Sequence, residues 1–375
     1  MRICLVGPAD PYRGGISQFS AMLAREMRAS HEVLLVNFSR LYPGFLFPGK
    51  TQFNESAPAL AAESRRLIDS IDPLSWRRAA DAICDFEPDV VVFQWWQPFF
   101  APAYRTMCGR IHARSRARVV FLCHNVLPHE SSPLDRGLTR LAFAGADGFV
   151  VQSREDGRIL AGFSPGAKIE FNPMPVFDLF SSARAAPDAD EARRALDLSG
   201  RVLLFFGLVR AYKGLRTLLE AFALLRDDFD ATLLVVGEFY EDRAPYDALI
   251  RDLKIGDRVR VIDRYVPDEE VGAYFRAADV VVLPYVTATQ SAIVQTAFSF
   301  ERPVIVTAVG GLPDVVKDGV TGFVVPPQSP HALAGAIRRF YREDAGERMS
   351  GAIREHAGEF AWSRCAAAIL DAAQP

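Results

Sequence analysis

Arg201-Val202-Leu203-Leu204-Phe205-Phe206-Gly207-Leu208-Val209-Arg210-Ala211-Tyr212-Lys213-Gly214-Leu215-Arg216-Thr217-Leu218-Leu219-Glu220-Ala221-Phe222 changes its periodicity twice. The opening run is short and apolar, as suits a strand buried on both faces. A loop bounded by Gly207 and Gly214 follows and carries two cations, Arg210 and Lys213. From Leu215 onward the apolar residues recur at helical spacing. Strand, glycine-containing loop and helix is the unit from which parallel sheets are built, since a parallel neighbour needs a crossover connection.

The same alternation extends in both directions. Strands are predicted at 2–6, 32–37, 89–94, 117–123 and 147–151, and again at 201–207, 231–236, 258–262, 279–283 and 303–307, with amphipathic segments between them. A chain of 375 residues exceeds the size at which one core keeps growing, so two domains are expected. Asn172-Pro173-Met174-Pro175 and the Ala/Pro/Asp-rich stretch Ser181–Glu191 break both periodicities. The expected division is therefore a first Rossmann-like doubly wound α/β domain over 1–180, a linker over 181–191 with the boundary near 185, a second such domain over 192–358, and a last helical segment over 359–375. Each domain should offer a ligand crevice at the C-terminal edge of its strands, and a ligand common to both would sit between the domains.

Composition narrows the function. Lys and Arg number 43 against 46 Asp and Glu, a net charge of -3, which is too balanced for a protein that neutralises nucleic-acid phosphates. The five cysteines, Cys4, Cys84, Cys108, Cys123 and Cys365, are scattered without a C-x-x-C pair and read as buried free thiols in a reducing compartment. Met1–Val6 is too short an apolar run for a signal peptide, and no run approaches the length of a membrane span. Cytoplasmic residence is expected, with peripheral contact at the inner face of a membrane left open.

Two segments carry the chemistry. Arg210 and Lys213, read as lying at an exposed strand-to-helix turn, match what a diphosphate needs: a fork of donors and a point charge. A solvated helix start with chance basic residues is the competing reading. The second segment, Leu283–Thr296, runs from a buried strand through the polar loop Thr287-Ala288-Thr289-Gln290-Ser291 into a helix whose first N–H groups can meet an anion, while Thr289 or Ser291 can equally be plain caps.

Together with Arg302-Pro303-Val304-Ile305-Val306-Thr307-Ala308-Val309-Gly310-Gly311-Leu312-Pro313-Asp314 and Asp318-Gly319-Val320-Thr321-Gly322-Phe323-Val324-Val325-Pro326, these residues resemble the C-terminal domain of the retaining GT-B glycosyltransferases known as glycosyltransferase group 1. The resemblance spans about half the chain in the same order and spacing. It implies two facing Rossmann-like domains, a final helix crossing back to the first, a nucleotide diphosphate sugar as donor, a glycan, lipid-linked or small-molecule acceptor, and neither metal nor cofactor. It assigns Arg210 and Lys213 to the leaving diphosphate. Glu238, Ala292 and the loop Asp263-Arg264-Tyr265 join the donor-binding set, the last where the family's backbone meets the base. In the first half it places Gly14 and Gly15 beside the diphosphate, where glycine admits a phosphate close to backbone amides. His124, after the strand 117–123, would touch the donor sugar, a satisfied structural histidine being the alternative.

Two departures stand out. The family's paired glutamates fall on Ala288 and Thr296, leaving Gln290, Ser291 and Gln295 as the nearest candidates to replace them, while Thr296 itself stays in the donor-binding set. The arginine expected directly after the strand-ending glycine is Leu208, and Arg210 is expected to substitute. Asp188-Ala189-Asp190 has the form of a metal-binding D-x-D but precedes a helix, where acidic capping is the better reading. Trp95-Trp96-Gln97-Pro98-Phe99-Phe100 with Tyr104, Arg105, Arg110, Arg114, Arg116 and Arg118 is partly core, with exposed members available to an anionic bilayer or a lipid-diphosphate acceptor. A nucleotide-sugar epimerase or phosphorylase-like enzyme on the same architecture, and a non-catalytic sugar-nucleotide-binding protein, stay open as alternatives.

Overall fold

The computed structural model describes residues 1–44, 51–54, 60, 62–128, 132–181 and 188–375. These form two units, Met1–Pro175 with Ala361–Pro375, and Val176–Phe360.

The first unit holds β1 (Arg2–Val6), β2 (Glu32–Arg40), β3 (Arg65–Asp69), β4 (Val90–Trp95), β5 (Arg118–Cys123), β6 (Gly148–Val151) and β7 (Lys168–Phe171). They pair in the order β3-β2-β1-β4-β5-β6-β7, every pair parallel. All of β4 is buried, and Ile3 to Val6 of β1 are fully buried, because helices cover both faces of the sheet. The second unit holds β8 (Arg201–Phe206), β9 (Ala231–Val236), β10 (Val259–Ile262), β11 (Val280–Leu283), β12 (Val304–Thr307) and β13 (Gly322–Val325), in the order β10-β9-β8-β11-β12-β13, again all parallel. In each sheet the winding reverses where the first strand meets its non-sequential neighbour, at β1/β4 and at β8/β11. The loops leaving those strands part to opposite faces there and open a crevice.

The ten predicted strands coincide with β1, β2, β4 to β6 and β8 to β12. The three others, β3, β7 and β13, each lie at the edge of a sheet. Arg65-Arg66-Leu67-Ile68-Asp69 shows why β3 escapes notice: an edge strand has one neighbour and tolerates charge where a central strand cannot.

The division of the chain differs from the expected one. It falls at Pro175/Val176, not at 180, and Val176 N donates to Phe360 O (2.9 Å), pinning together the two ends of the second unit. Residues 182–187 of the expected linker, with the boundary placed near 185, lie outside the described residues. Its last residues are not linker, since Asp188 caps a helix over Ala189–Ala195.

The final helix, Trp362–Ala372, belongs to the first unit. It buries Trp362, Cys365, Ile369 and Ala372, sets the Trp362 ring 4.8 Å from that of Phe19, and receives a bond from Arg118 Nε to Ala373 O (3.2 Å). All five cysteines are free and buried.

Candidate functional site

In the second unit the site is built from the loops that leave β8 and β11 at the reversal point. Val286 N donates to Tyr212 O (2.7 Å) and so ties one loop to the other. Gly214 joins them more closely. It sits at φ +71°, and a Cβ there would stand 1.9 Å from the Pro284 carbonyl oxygen, so only glycine lets the helix Leu215–Ala223 start at this point.

That start fixes Lys213. Its ammonium lies 5.3 Å from the centre of the Tyr285 ring, and the Tyr285 phenol meets Ser291 Oγ at 3.3 Å. Thr307 Oγ1 donates to Tyr285 O (2.6 Å) from the next strand, so the aromatic floor is held from two sides. The Arg210 guanidinium lies 5.1 Å from the centre of the Tyr240 ring. The expectation of an exposed turn is corrected: Lys213 and Arg210 are half-buried, and burial lowers the Lys213 pKa, with the nearby Arg210 charge acting in the same direction and Tyr212 against it. Among the described residues neither cation forms an ion pair with a carboxylate.

The helix Ala292–Ser299 opens the β11 side. Ser291 stands at its N-terminus, yet its hydroxyl makes no capping bond and faces Tyr285 instead. Gln290 is half-buried in the loop. The Thr296 hydroxyl donates to Ala292 O (2.9 Å) inside the helix, and the residue is 3% exposed. Gln295 is buried, with no hydrogen bond to its Oε1 among the described residues. Glu238 is buried after β9, where its carbonyl accepts from Val209 N (2.9 Å) and steadies the cationic loop. Arg264 pairs with Glu270 and donates to Tyr274 Oη (3.3 Å), so its guanidinium is tied to the helix Asp268–Ala277, while Tyr265 is half-buried beside it.

In the first unit Gly14 and Gly15 follow β1 at its reversal point. Gly14 has φ +109° with nothing within 4 Å of where a Cβ would stand, and Gly15 opens the helix Gly15–Arg28 without a side-chain cap. A cavity of about 190 Å³ lies over them, lined among others by Arg13, Tyr42, Gln52 and Trp96. His124 follows β5, 7% exposed, its ring packed edge-on to Phe19 (4.7 Å) and its Nε2 2.9 Å from Gln94 Oε1. Burial pushes its pKa down to about 4 against a smaller upward effect of the Gln152 amide, so the imidazole is neutral at neutral pH. Gln94 was not among the residues expected at the site. The signal was present, since a glutamine ends the apolar run Val90-Val91-Val92-Phe93, where a buried amide must find partners.

The aromatic and arginine-rich segment is partly core, as expected, while Arg114 and Arg116 are exposed. Trp95, Phe100 and Tyr104 are fully buried, Arg110 and Arg114 pair with Asp81, and Arg118 pairs with Asp147. Trp96 remains half-buried, its indole donating to Tyr42 Oη (2.9 Å). No helix among the described residues is long and apolar enough to cross a membrane. Asp188 accepts from Glu191 N (2.8 Å) in a reciprocal capping box, which is the capping role expected of it.

Comparison with known proteins supplies an independent reading. A model described as glycosyl transferases group 1 matches residues 200–343, and one described as Glycosyltransferase Family 4 matches residues 13–176. A D-inositol 3-phosphate glycosyltransferase of Corynebacterium glutamicum (strain R) is 33% identical over 214 residues, 55% of this chain and 49% of its own. The protein of the same name from Corynebacterium diphtheriae is 34% identical over 233 residues, 57% of this chain and 52% of its own. The chain thus spans about half the length of the curated relatives it matches. Among solved structures, sucrose-phosphate synthase from Thermosynechococcus elongatus superposes with a TM-score of 0.73 at 20% identity over 99% of this chain and 96% of that one. Anabaena HepE in complex with UDP does so with a TM-score of 0.75 at 17% identity over 99% of each chain. At those identities the structures speak for the fold.

Proposed function

Since the chain belongs to the glycosyltransferases, its second half matched by the group 1 model and its first by the Family 4 model, we propose that it moves a sugar from a nucleotide diphosphate sugar to an acceptor hydroxyl, with retention and without a metal ion. The observation that carries this is Lys213, an ammonium held half-buried at the β8/β11 reversal point with no carboxylate partner among the described residues. A buried cation without a counter-charge is costly, and an arriving diphosphate offsets that cost. Arg210 supplies a fork of donors beside it, and the first N–H groups of the helix Ala292–Ser299 add the positive end of its dipole.

In this reading the three groups stabilise charge as it develops on the departing diphosphate, and preorganised electrostatics of this kind give a site without a metal most of its rate enhancement. His124, neutral and therefore able to accept as well as donate, is assigned the donor sugar. Gln290 and Ser291 take over hydroxyl contacts that carboxylates make elsewhere in the family, and Gln290→Ala and Ser291→Ala are expected to lower turnover more than Thr296→Ala, whose hydroxyl is held inside its own helix. Uridine diphosphate sugars are the first donors to try, because a protein of similar fold is known in complex with UDP. Ala288 and Thr296 in place of carboxylates favour a second reading, a protein that binds a nucleotide sugar without turning it over. Following donor and product by NMR with the purified protein separates the two. Loss of donor supports transfer or slow hydrolysis, an epimerised sugar points to the epimerase, and a bound but unchanged donor supports the binding protein.

A further inference from the structure

Beneath His124 runs a line of buried polar groups that fixes where its proton sits. Ser20 Oγ lies 2.5 Å from Pro8 O and 3.0 Å from Ile16 O, two carbonyl oxygens that only accept. The hydroxyl has one proton, and the closer carbonyl would repel it if that proton pointed elsewhere. The third neighbour, the Gln94 amide at 2.6 Å, must therefore donate to Ser20. With its NH2 turned to Ser20, Gln94 presents Oε1 to His124 Nε2 at 2.9 Å. An amide oxygen only accepts, so Nε2 carries the imidazole proton and, in the neutral ring, Nδ1 keeps its lone pair; the Gln152 amide is a second polar neighbour of the ring. Ser20 and Gln94 are at most 1% exposed, and Tyr104 Oη donates to the Gln94 carbonyl (3.1 Å), which holds the backbone of the relay in place.

We propose that Ser20 and Gln94 are positioning residues that hold His124 as the Nε2–H tautomer, so that Nδ1 accepts a hydrogen bond from a hydroxyl of the donor sugar. The last clause rests on the sugar-transfer reading; the tautomer rests only on the geometry of the first unit. The choice matters chemically. A histidine presenting N–H at that face would orient a hydroxyl the opposite way and turn its lone pairs, not its proton, toward the ring.

The test is a long-range proton–nitrogen correlation spectrum of protein labelled with 15N-histidine, His124 being identified among the six histidines by its loss in His124→Asn. At pH 7 and without ligand, the expected pattern is a protonated Nε2 and a bare Nδ1. A protonated Nδ1, or a doubly protonated ring, overturns the relay. Gln94→Leu should mix the tautomers and lower kcat about tenfold, the scale on which outer partners of an oriented histidine act, with less change in nucleoside diphosphate affinity. Gln94→Glu, which still accepts, should restore the Nε2–H form, and a spectrum unmoved by both Gln94→Leu and Ser20→Ala would show that the relay does not set it. A bound nucleotide sugar should shift the Nδ1 resonance where a nucleoside diphosphate alone does not, and an unmoved Nδ1 overturns the sugar contact. If the tautomer is as expected but no donor is turned over, the sugar-transfer reading fails and the relay stands.

Discussion

Lys213 shows how a single residue can oppose folding in order to bind. Its pKa is lowered by burial, so the unfolded chain holds the proton more tightly than the folded one. The charge therefore works against stability at neutral pH, and that opposition disappears as pH rises above the lowered value. Lys213→Met is expected to leave the unliganded protein at least as stable as the parent, while weakening nucleoside diphosphate binding by about 1.5–3 kcal/mol, as for a lost charge-assisted hydrogen bond. Arg210→Ala should weaken binding on the same scale. Thermal shifts with and without UDP check both, and a variant that destabilises the free protein but binds UDP normally would recast Lys213 as a structural residue. Affinity should also fall at a lower alkaline pH than a freely exposed lysine would give. His124 carries the same sign of pH dependence in an acid window. With a folded pKa near 4 against an ordinary value of 6.5, it contributes full stability above about pH 6.5 and loses it as pH falls toward 4. At pH 5 the loss should be about 2 kcal/mol. Denaturant midpoints at pH 7 and pH 5 should therefore draw closer together in His124→Asn than in the parent, and an unchanged gap would show that His124 does not titrate as a buried neutral imidazole.

Among the elements, the strand-loop-helix at 201–222 was fully legible, because its two periodicities and its glycines each demand one conformation. Gly214→Ala is expected to destabilise the second unit by about 1–3 kcal/mol, since it puts a side chain at positive φ against the Pro284 carbonyl. Diphosphate affinity should fall with it, as the same turn places Lys213. Central strands were legible for a similar reason: burial on both faces leaves a continuous apolar run. The edge strands β3 and β7 were not, because one paired side and partial exposure admit Arg65 and Lys168. Nor was β13, which is four residues long and opens on Gly322, where the backbone packs against the Val304 carbonyl. The site was half legible. Motif spacing located Lys213, Arg210, Ser291 and His124, but the half-burial of the cations, the Tyr285 floor and the Gln94 partner come from side chains brought together by strands far apart in sequence. Position in a motif also does not reveal that the Thr296 hydroxyl is bonded to its own helix. Asp188→Ala offers a contrast, costing about 1 kcal/mol through the lost cap, with chelators leaving activity unchanged in parent and variant alike. Abolition by EDTA with rescue by Mn²⁺ would return Asp188 and Asp190 to the site.

Across the whole molecule the chain leaves the first unit at Pro175 and returns to it at Ala361, so the final helix completes a core begun more than three hundred residues earlier. Trp362, 6% exposed and packed on Phe19, is the anchor of that return. Trp362→Ala should cost about 3–5 kcal/mol, the range for emptying an aromatic site, and unfolding of the first unit should precede that of the second. Phe19 also packs against His124, so activity should decline together with that stability. Whether a sugar leaves its nucleotide diphosphate at the Lys213 site is decided by watching the donor itself. Purified protein is incubated with a panel of nucleotide sugars in EDTA, beside Lys213→Met, and each donor is observed by NMR through its anomeric signal. At least one donor should be consumed with release of nucleoside diphosphate, and Lys213→Met should abolish the loss. A donor that binds and persists unchanged, or one consumed equally by Lys213→Met, would overturn sugar transfer at this site.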